Sequence, residues 1–197
     1  MSYVIAGLGN PGEEYSNTRH NTGRIVLDYF RKENDFSDWK ENKKYKALIS
    51  EGKVGKQKVI LVEPDNFMNN SGKSLASIVT SARGSEKLIV VYDDIDLPIG
   101  TIKVSYSRGS GGHRGVESII KSLKTKSFIR LRVGVAPTTP SGKIKKPKGE
   151  QGVVDFLMGE FKSKECDILK KANMLSAEAV KSIILEGKER AMGEFNQ

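Results

Sequence analysis

Cysteine is nearly absent from this 197-residue chain: Cys166 stands alone. No disulfide can form within it, and an oxidising compartment is not indicated. Histidine is almost as scarce, and His20 and His113, far apart in sequence, give no zinc-ligand spacing. No apolar run approaches the roughly 20 residues that span a bilayer. The N-terminus has neither a basic n-region nor an apolar h-region. These absences predict a soluble cytoplasmic protein. A Gly-x-Ser-x-Gly elbow, which would present a serine nucleophile, is missing too.

What the chain has in excess is positive charge. Lys and Arg outnumber Asp and Glu by 33 to 24, for a formal charge of +9, which favours a polyanionic partner. A solvated basic face is the alternative that charge by itself leaves open. With 37% hydrophobic residues, the length suits one well-filled core, so residues 1–197 are read as a single domain.

Apolar runs alternate with helical patterns, which predicts an α/β domain with a mixed, twisted central sheet flanked by helices. Tyr3 to Ala6 reads as a first strand, and Ile25, Val26, Tyr29 and Phe30 recur at helical spacing. The runs around Ala47 and Val59–Val62 read as a hairpin, with Gly52 and Gly55 between them. Ser71 through Ala82 is expected as one helix. Leu88–Val91 is expected as a central strand that ends in a loop at Tyr92-Asp93-Asp94. Around Val133, Arg130 and Arg132 alternate with apolar residues and leave one face of a strand whose other face is core. The stretch 138–152, with Lys143, Lys145, Lys146 and Lys148, reads as a mobile loop. Lys164 to Glu186 reads as an amphipathic helix, its apolar stripe formed by Ile168, Ala172, Leu175, Ala179 and Ile183.

The chemistry gathers in four segments expected at one sheet edge. These are Asn10 and His20 after the first strand, Phe67-Met68-Asn69-Asn70 before a helix, Asp93 after the central strand, and Gly111-Gly112-His113. An imidazole oriented by a carboxylate can take a proton from water, while amides stabilise an oxyanion or hold a substrate amide. That inventory fits hydrolysis of an activated acyl bond such as an ester. Two other readings are weaker. Gly7-x-Gly9-x-x-Gly12 fits a dinucleotide fingerprint, but Pro11 and the polar run 13–17 delay the helix that fingerprint requires. Gly72-Lys73-Ser74 resembles the end of a P-loop, yet Phe67 stands where its earlier glycine belongs. An aspartate-rich turn at Asp93, Asp94 and Asp96 is common without a metal, and none is expected.

The motifs resemble the bacterial-type peptidyl-tRNA hydrolase family along nearly the whole chain. They run from Gly7-Leu8-Gly9-Asn10-Pro11-Gly12 with Tyr15 and Thr18-Arg19-His20-Asn21-x-Gly23 to Phe67-Met68-Asn69-x-Ser71-Gly72. Asp93-x-x-Asp96-Leu97-Pro98-x-Gly100, Gly111-Gly112-His113-x-Gly115 and Arg130-Leu131-Arg132-x-Gly134 follow. The resemblance implies a cofactor-free enzyme that cleaves the ester between peptide and tRNA, freeing tRNA for translation. It implies a monomer with no obligate protein partner and no membrane.

By the same resemblance His20 is the general base and Asp93 its orienting partner. Asn10 and Asn69 position substrate and water, Tyr15, Phe67 and Met68 line the substrate groove, and His113 and Arg114 shape it. Arg132 meets tRNA phosphate. Arg114 stands where many relatives have asparagine, and Ser105 where they often have a basic residue, a loss that Lys103 or Arg108 compensates. The alternative from another class is a family member retained as an RNA-binding protein without turnover.

Overall fold

Tyr3–Gly7 forms the first strand, β1, in the computed structural model, which describes residues 2–196. The chain continues through α1 (Thr22–Glu33) into β2 (Lys40–Asn42), β3 (Ala47–Val54) and β4 (Gln57–Pro64). Next come α2 (Ser71–Ile78), α3 (Ala82–Glu86), β5 (Leu88–Pro98), β6 (Ile102–Tyr106), α4 (Arg114–Leu123) and β7 (Ile129–Ala136). Three helices close the fold: α5 (Gly149–Met158), α6 (Ser163–Leu185) and α7 (Lys188–Phe195).

The strands make one seven-stranded sheet of order β2-β3-β4-β1-β5-β7-β6. β4, β1, β5 and β7 run parallel, whereas β2, β3 and β6 pair antiparallel to their neighbours. Central strands buried on both faces must be apolar on both. Ile5, Ile89, Val91 and Leu131 accordingly pack on one side with Val26, Leu27 and Phe30 of α1 and Val180 and Ile183 of α6. Val4, Ala6 and Val90 pack on the other with Leu75 of α2 and Val116 and Ile119 of α4.

Parallel strands deliver their carboxyl ends to one edge, and that edge carries the chemistry. Gly23 fixes part of it: a Cβ there would lie 2.3 Å from the Val91 carbonyl oxygen and 2.4 Å from the Leu8 nitrogen. The first turn of α1 thus touches the backbones of β5 and of the segment after β1. Gly72 does the same between α2 and α4, where a Cβ would meet the Ser118 carbonyl at 2.2 Å.

The expected class and hairpin are found, with local corrections. The hairpin turns at Gly55, whereas Gly52 lies inside β3 opposite Val59, beneath the Phe36 ring. The helix expected over Ser71–Ala82 breaks after Ile78; Ser81 caps α3 instead, its side chain accepting from the Gly84 N–H. β5 does not stop at Val91, because ladder bonding to β7 carries it through Asp93 and Asp94, paired with Val133 and Gly134. Arg130 does not leave toward solvent; it is 1% exposed, stacked on Phe128 with its guanidinium donating to the Arg108 carbonyl. The segment 138–152 is not all loop: α5 starts at Gly149, and a Thr138–Ile144 bridge folds the stretch before it. The buried stripe of α6 runs through Leu169, Ala172, Ser176, Val180 and Ile183, leaving Ile168 and Leu175 half-exposed.

Candidate active site

At the carboxyl edge of the parallel strands opens a cleft of about 1110 Å³. Asn10 reaches it from the loop after β1, Phe67, Met68 and Asn69 from the turn after β4, and Asp93 from β5. His20 comes from the 3-10 turn Arg19–Asn21 just ahead of α1, and His113 from the N-cap of α4.

Asp93 is the hub. One oxygen, Oδ1, lies 3.0 Å from His20 Nδ1 and 3.1 Å from His113 Nε2. The tautomers follow from neighbouring contacts. His113 Nδ1 accepts from the backbone N–H groups of Gly115 and Val116, so its proton sits on Nε2 and is donated to Asp93. His20 Nδ1–H donates to the same oxygen, which leaves Nε2 as the ring's basic nitrogen in a side chain 14% open to the cleft.

Electrostatics follow the geometry. Burial disfavours the His20 imidazolium, but the charge of Asp93 and its hydrogen bond outweigh it, and the His20 pKa stands above the ordinary imidazole value. Arg114 works in the opposite direction. Burial would raise the Asp93 pKa, yet the two rings hold it well below the usual carboxylate range. A charged carboxylate therefore steers a basic ring.

The amides are fixed as firmly. Asn21 Oδ1 accepts from the Asn10 backbone N–H at 2.8 Å, and its Nδ2 donates to the Asn10 carbonyl at 3.0 Å. Asn10 Oδ1 accepts from the Met68 N–H at 2.9 Å, so its Nδ2, 3.9 Å from Met158 Sδ, is the end left for a ligand. The Asn69 side chain is exposed at the rim.

His20, Asp93 and His113 place three metal-capable atoms within 4.8 Å of one another, a meeting that sequence spacing does not reveal. The donor set fits a metal poorly. With its Nδ1 accepting backbone hydrogens, His113 would have to surrender its Nε2 proton to become a ligand.

Of the sequence-predicted residues, Asn10, His20, Phe67, Met68, Asn69, Asp93, Lys103, Arg108, His113, Arg114 and Arg132 all line this cleft. Tyr15 stands outside the lining and meets Phe67 edge-on, ring centres 6.5 Å apart. Arg132 is not a free cation, since its Nε donates to Asp94 Oδ2 at 2.5 Å. Arg114 is paired with Glu150 of α5.

Sequence reasoning missed Asn21, although it stood in a quoted motif, because its partner Asn10 is found only in three dimensions. It also missed the α5 wall of Val153, Val154, Leu157 and Met158. That segment carries no chemical signature, and the lysines ahead of it and the glycines in its first turn resemble a loop.

An α/β fold whose cleft holds an imidazole hydrogen-bonded to a buried carboxylate has the geometry of an enzyme's acid–base site. The chain belongs to the peptidyl-tRNA hydrolase family, whose sequence profile matches residues 4–197. It is 40% identical over 195 residues to a peptidyl-tRNA hydrolase from a Thermoanaerobacter species, covering 98% of this chain and 99% of that one. The peptidyl-tRNA hydrolase of Finegoldia magna is 38% identical over 196 residues, with 98% and 97% covered. The crystal structure of peptidyl-tRNA hydrolase from Acinetobacter baumannii superposes with a TM-score of 0.88 at 26% identity, covering 99% of this chain and 94% of that one. Among the described residues no helix is long and apolar enough to cross a membrane.

Proposed function

We propose that this protein hydrolyses the ester joining peptide to tRNA, with water as nucleophile and no covalent intermediate. The observation that carries the reading is the His20–Asp93 contact at 3.0 Å beside a cleft lined with amides. His20 Nε2 takes a proton from water as the water oxygen attacks the ester carbonyl. The tetrahedral adduct then collapses, and the ribose oxygen leaves with the proton held by the imidazolium. Asp93 keeps the ring in the required tautomer and stabilises its charged form. The Asn10 Nδ2–H group and the Asn69 amide hold the carbonyl oxygen or the attacking water.

An activated ester needs no metal to cleave, so the reaction requires no cofactor. The apolar lining from Phe67, Met68 and α5 suits the peptide end, and Lys103, Arg108 and Arg132 suit phosphate. Arg132 exchanges Asp94 for phosphate when tRNA arrives. The whole chain, residues 1–197, acts as one unit, as a cytoplasmic monomer without an obligate partner, returning stalled tRNA to translation.

Incubation with N-acetylated aminoacyl-tRNA tests the reading. Multiple-turnover release of the acyl group as the free acid supports it. Tight tRNA binding without release would mark an RNA-binding protein instead.

A further inference from the structure

Arg19 is a charged side chain that the chemistry described above does not use, yet it is 6% exposed and placed next to His20. Its guanidinium leaves the cleft and enters the junction between α5 and α6. There NH2 donates to Glu165 Oε2 at 2.8 Å, and NH1 donates to the Phe156 carbonyl at 3.4 Å, in the last turn of α5. The Phe156 ring lies 4.6 Å from the guanidinium carbon and the Phe161 ring 5.4 Å.

The backbone repeats the connection. The Arg19 N–H donates to the Gly159 carbonyl at 3.1 Å, and Thr18 bridges to Glu160. Glu165 Oε2 also accepts from the Lys162 N–H at 2.7 Å, so one carboxylate caps α6 while holding Arg19. A buried cation at a helix C-terminus, stacked on an aromatic face and paired with a half-buried carboxylate, is a strong fastening.

The other end of α5 is held differently. Arg114 and Glu150 meet there with side chains 61% and 81% exposed, an arrangement that contributes little. No residue of α5 is buried, so the helix has little core packing of its own to set its position. Its cleft-facing end is nonetheless well defined: Met158 lies 3.9 Å from Asn10, and Leu157 lines the cleft beside it.

We propose that Arg19 is a positioning residue that fixes the α5 wall against the Asn10–His20 floor and so sets the width of the groove that receives the peptide. The inference rests on the peptidyl-tRNA reading. It predicts that Arg19 governs binding of the acyl part of the substrate rather than proton transfer at His20.

Steady-state kinetics with a tRNA bearing a blocked oligopeptide, alongside hydrogen exchange of the α5 amides, test it in the full-length protein. Arg19→Met should raise KM about fivefold or more with kcat within about twofold and an unmoved pH profile. Exchange should accelerate in α5 and not in α1. Arg19→Lys, which keeps the charge but not the fork, should fall between Met and wild type. Should Arg19→Met fail to fold, Phe156→Leu, which removes only the stacked ring, is expected to move KM and α5 exchange in the same direction.

A fall in kcat at constant KM would overturn the proposal by assigning Arg19 to His20. Unchanged KM and unchanged α5 exchange in folded variants would overturn it as well. Failure of the wild type to release the acyl group would instead sink the functional reading, and the exchange data would still decide whether Arg19 fastens α5.

Discussion

His113 donates its Nε2–H to Asp93 Oδ1, 3.1 Å away, while its other ring nitrogen caps α4. One imidazole therefore does two separable jobs. His113→Asn keeps a side-chain acceptor at the N-cap but is too short to reach Asp93, so its stability cost should be confined to that one hydrogen bond, about 1–3 kcal/mol. His113→Ala loses the cap as well and should cost about 1 kcal/mol more than His113→Asn. Both should lower kcat by about tenfold, since each removes a hydrogen bond to a charged group. Melting curves and turnover measured on the two variants separate the roles; equal melting temperatures would show that the cap contributes nothing.

Asp93 raises the His20 pKa, so its removal has a predictable sign. A base must be unprotonated, and kcat/KM of the wild type should fall on the acid side through a pKa above the ordinary imidazole value. In Asp93→Asn the raising influence is gone, leaving burial and Arg114, both of which lower the His20 pKa. The acid limb should move to lower pH while the plateau rate drops about a hundredfold or more. A limb that stays in place would show that the titrating group is not His20.

Arg132 already has a partner in Asp94, with which a tRNA phosphate bound there would have to compete. Asp94→Asn should therefore tighten tRNA binding at low salt. Arg132→Ala should weaken it and make the dependence of log Kd on log salt shallower by about one. Unchanged slope in Arg132→Ala, measured by titration at several salt concentrations, would remove this residue from the phosphate contacts.

These residues also show how far sequence reading reaches. The hairpin of β3 and β4 and the amphipathic α1 were legible because alternation, helical spacing and turn chemistry act over a few residues. His20 and Asp93 were legible as a pair only through their motifs. The contact itself joins residues 73 positions apart through the close approach of α1 to β5 at Gly23. What escaped is long-range. Asp93 reads as a loop residue because acidic residues seldom occupy central strands, yet the cleft accepts its side chain while β7 holds its backbone. Arg130 looks solvent-bound from alternation alone, but Phe128 and the Arg108 carbonyl enclose it. α5 has no buried face to give it a period and is fastened mostly from outside, through Arg19.

The decisive measurement is the single-turnover cleavage rate of N-acetylated aminoacyl-tRNA by His20→Ala, set beside its tRNA affinity. With His20 as the base, the rate falls by about 10²- to 10⁴-fold while Kd stays within about twofold of wild type. Cleavage at near wild-type rate by the folded variant would contradict the account, because no proton acceptor steered by Asp93 would then be needed.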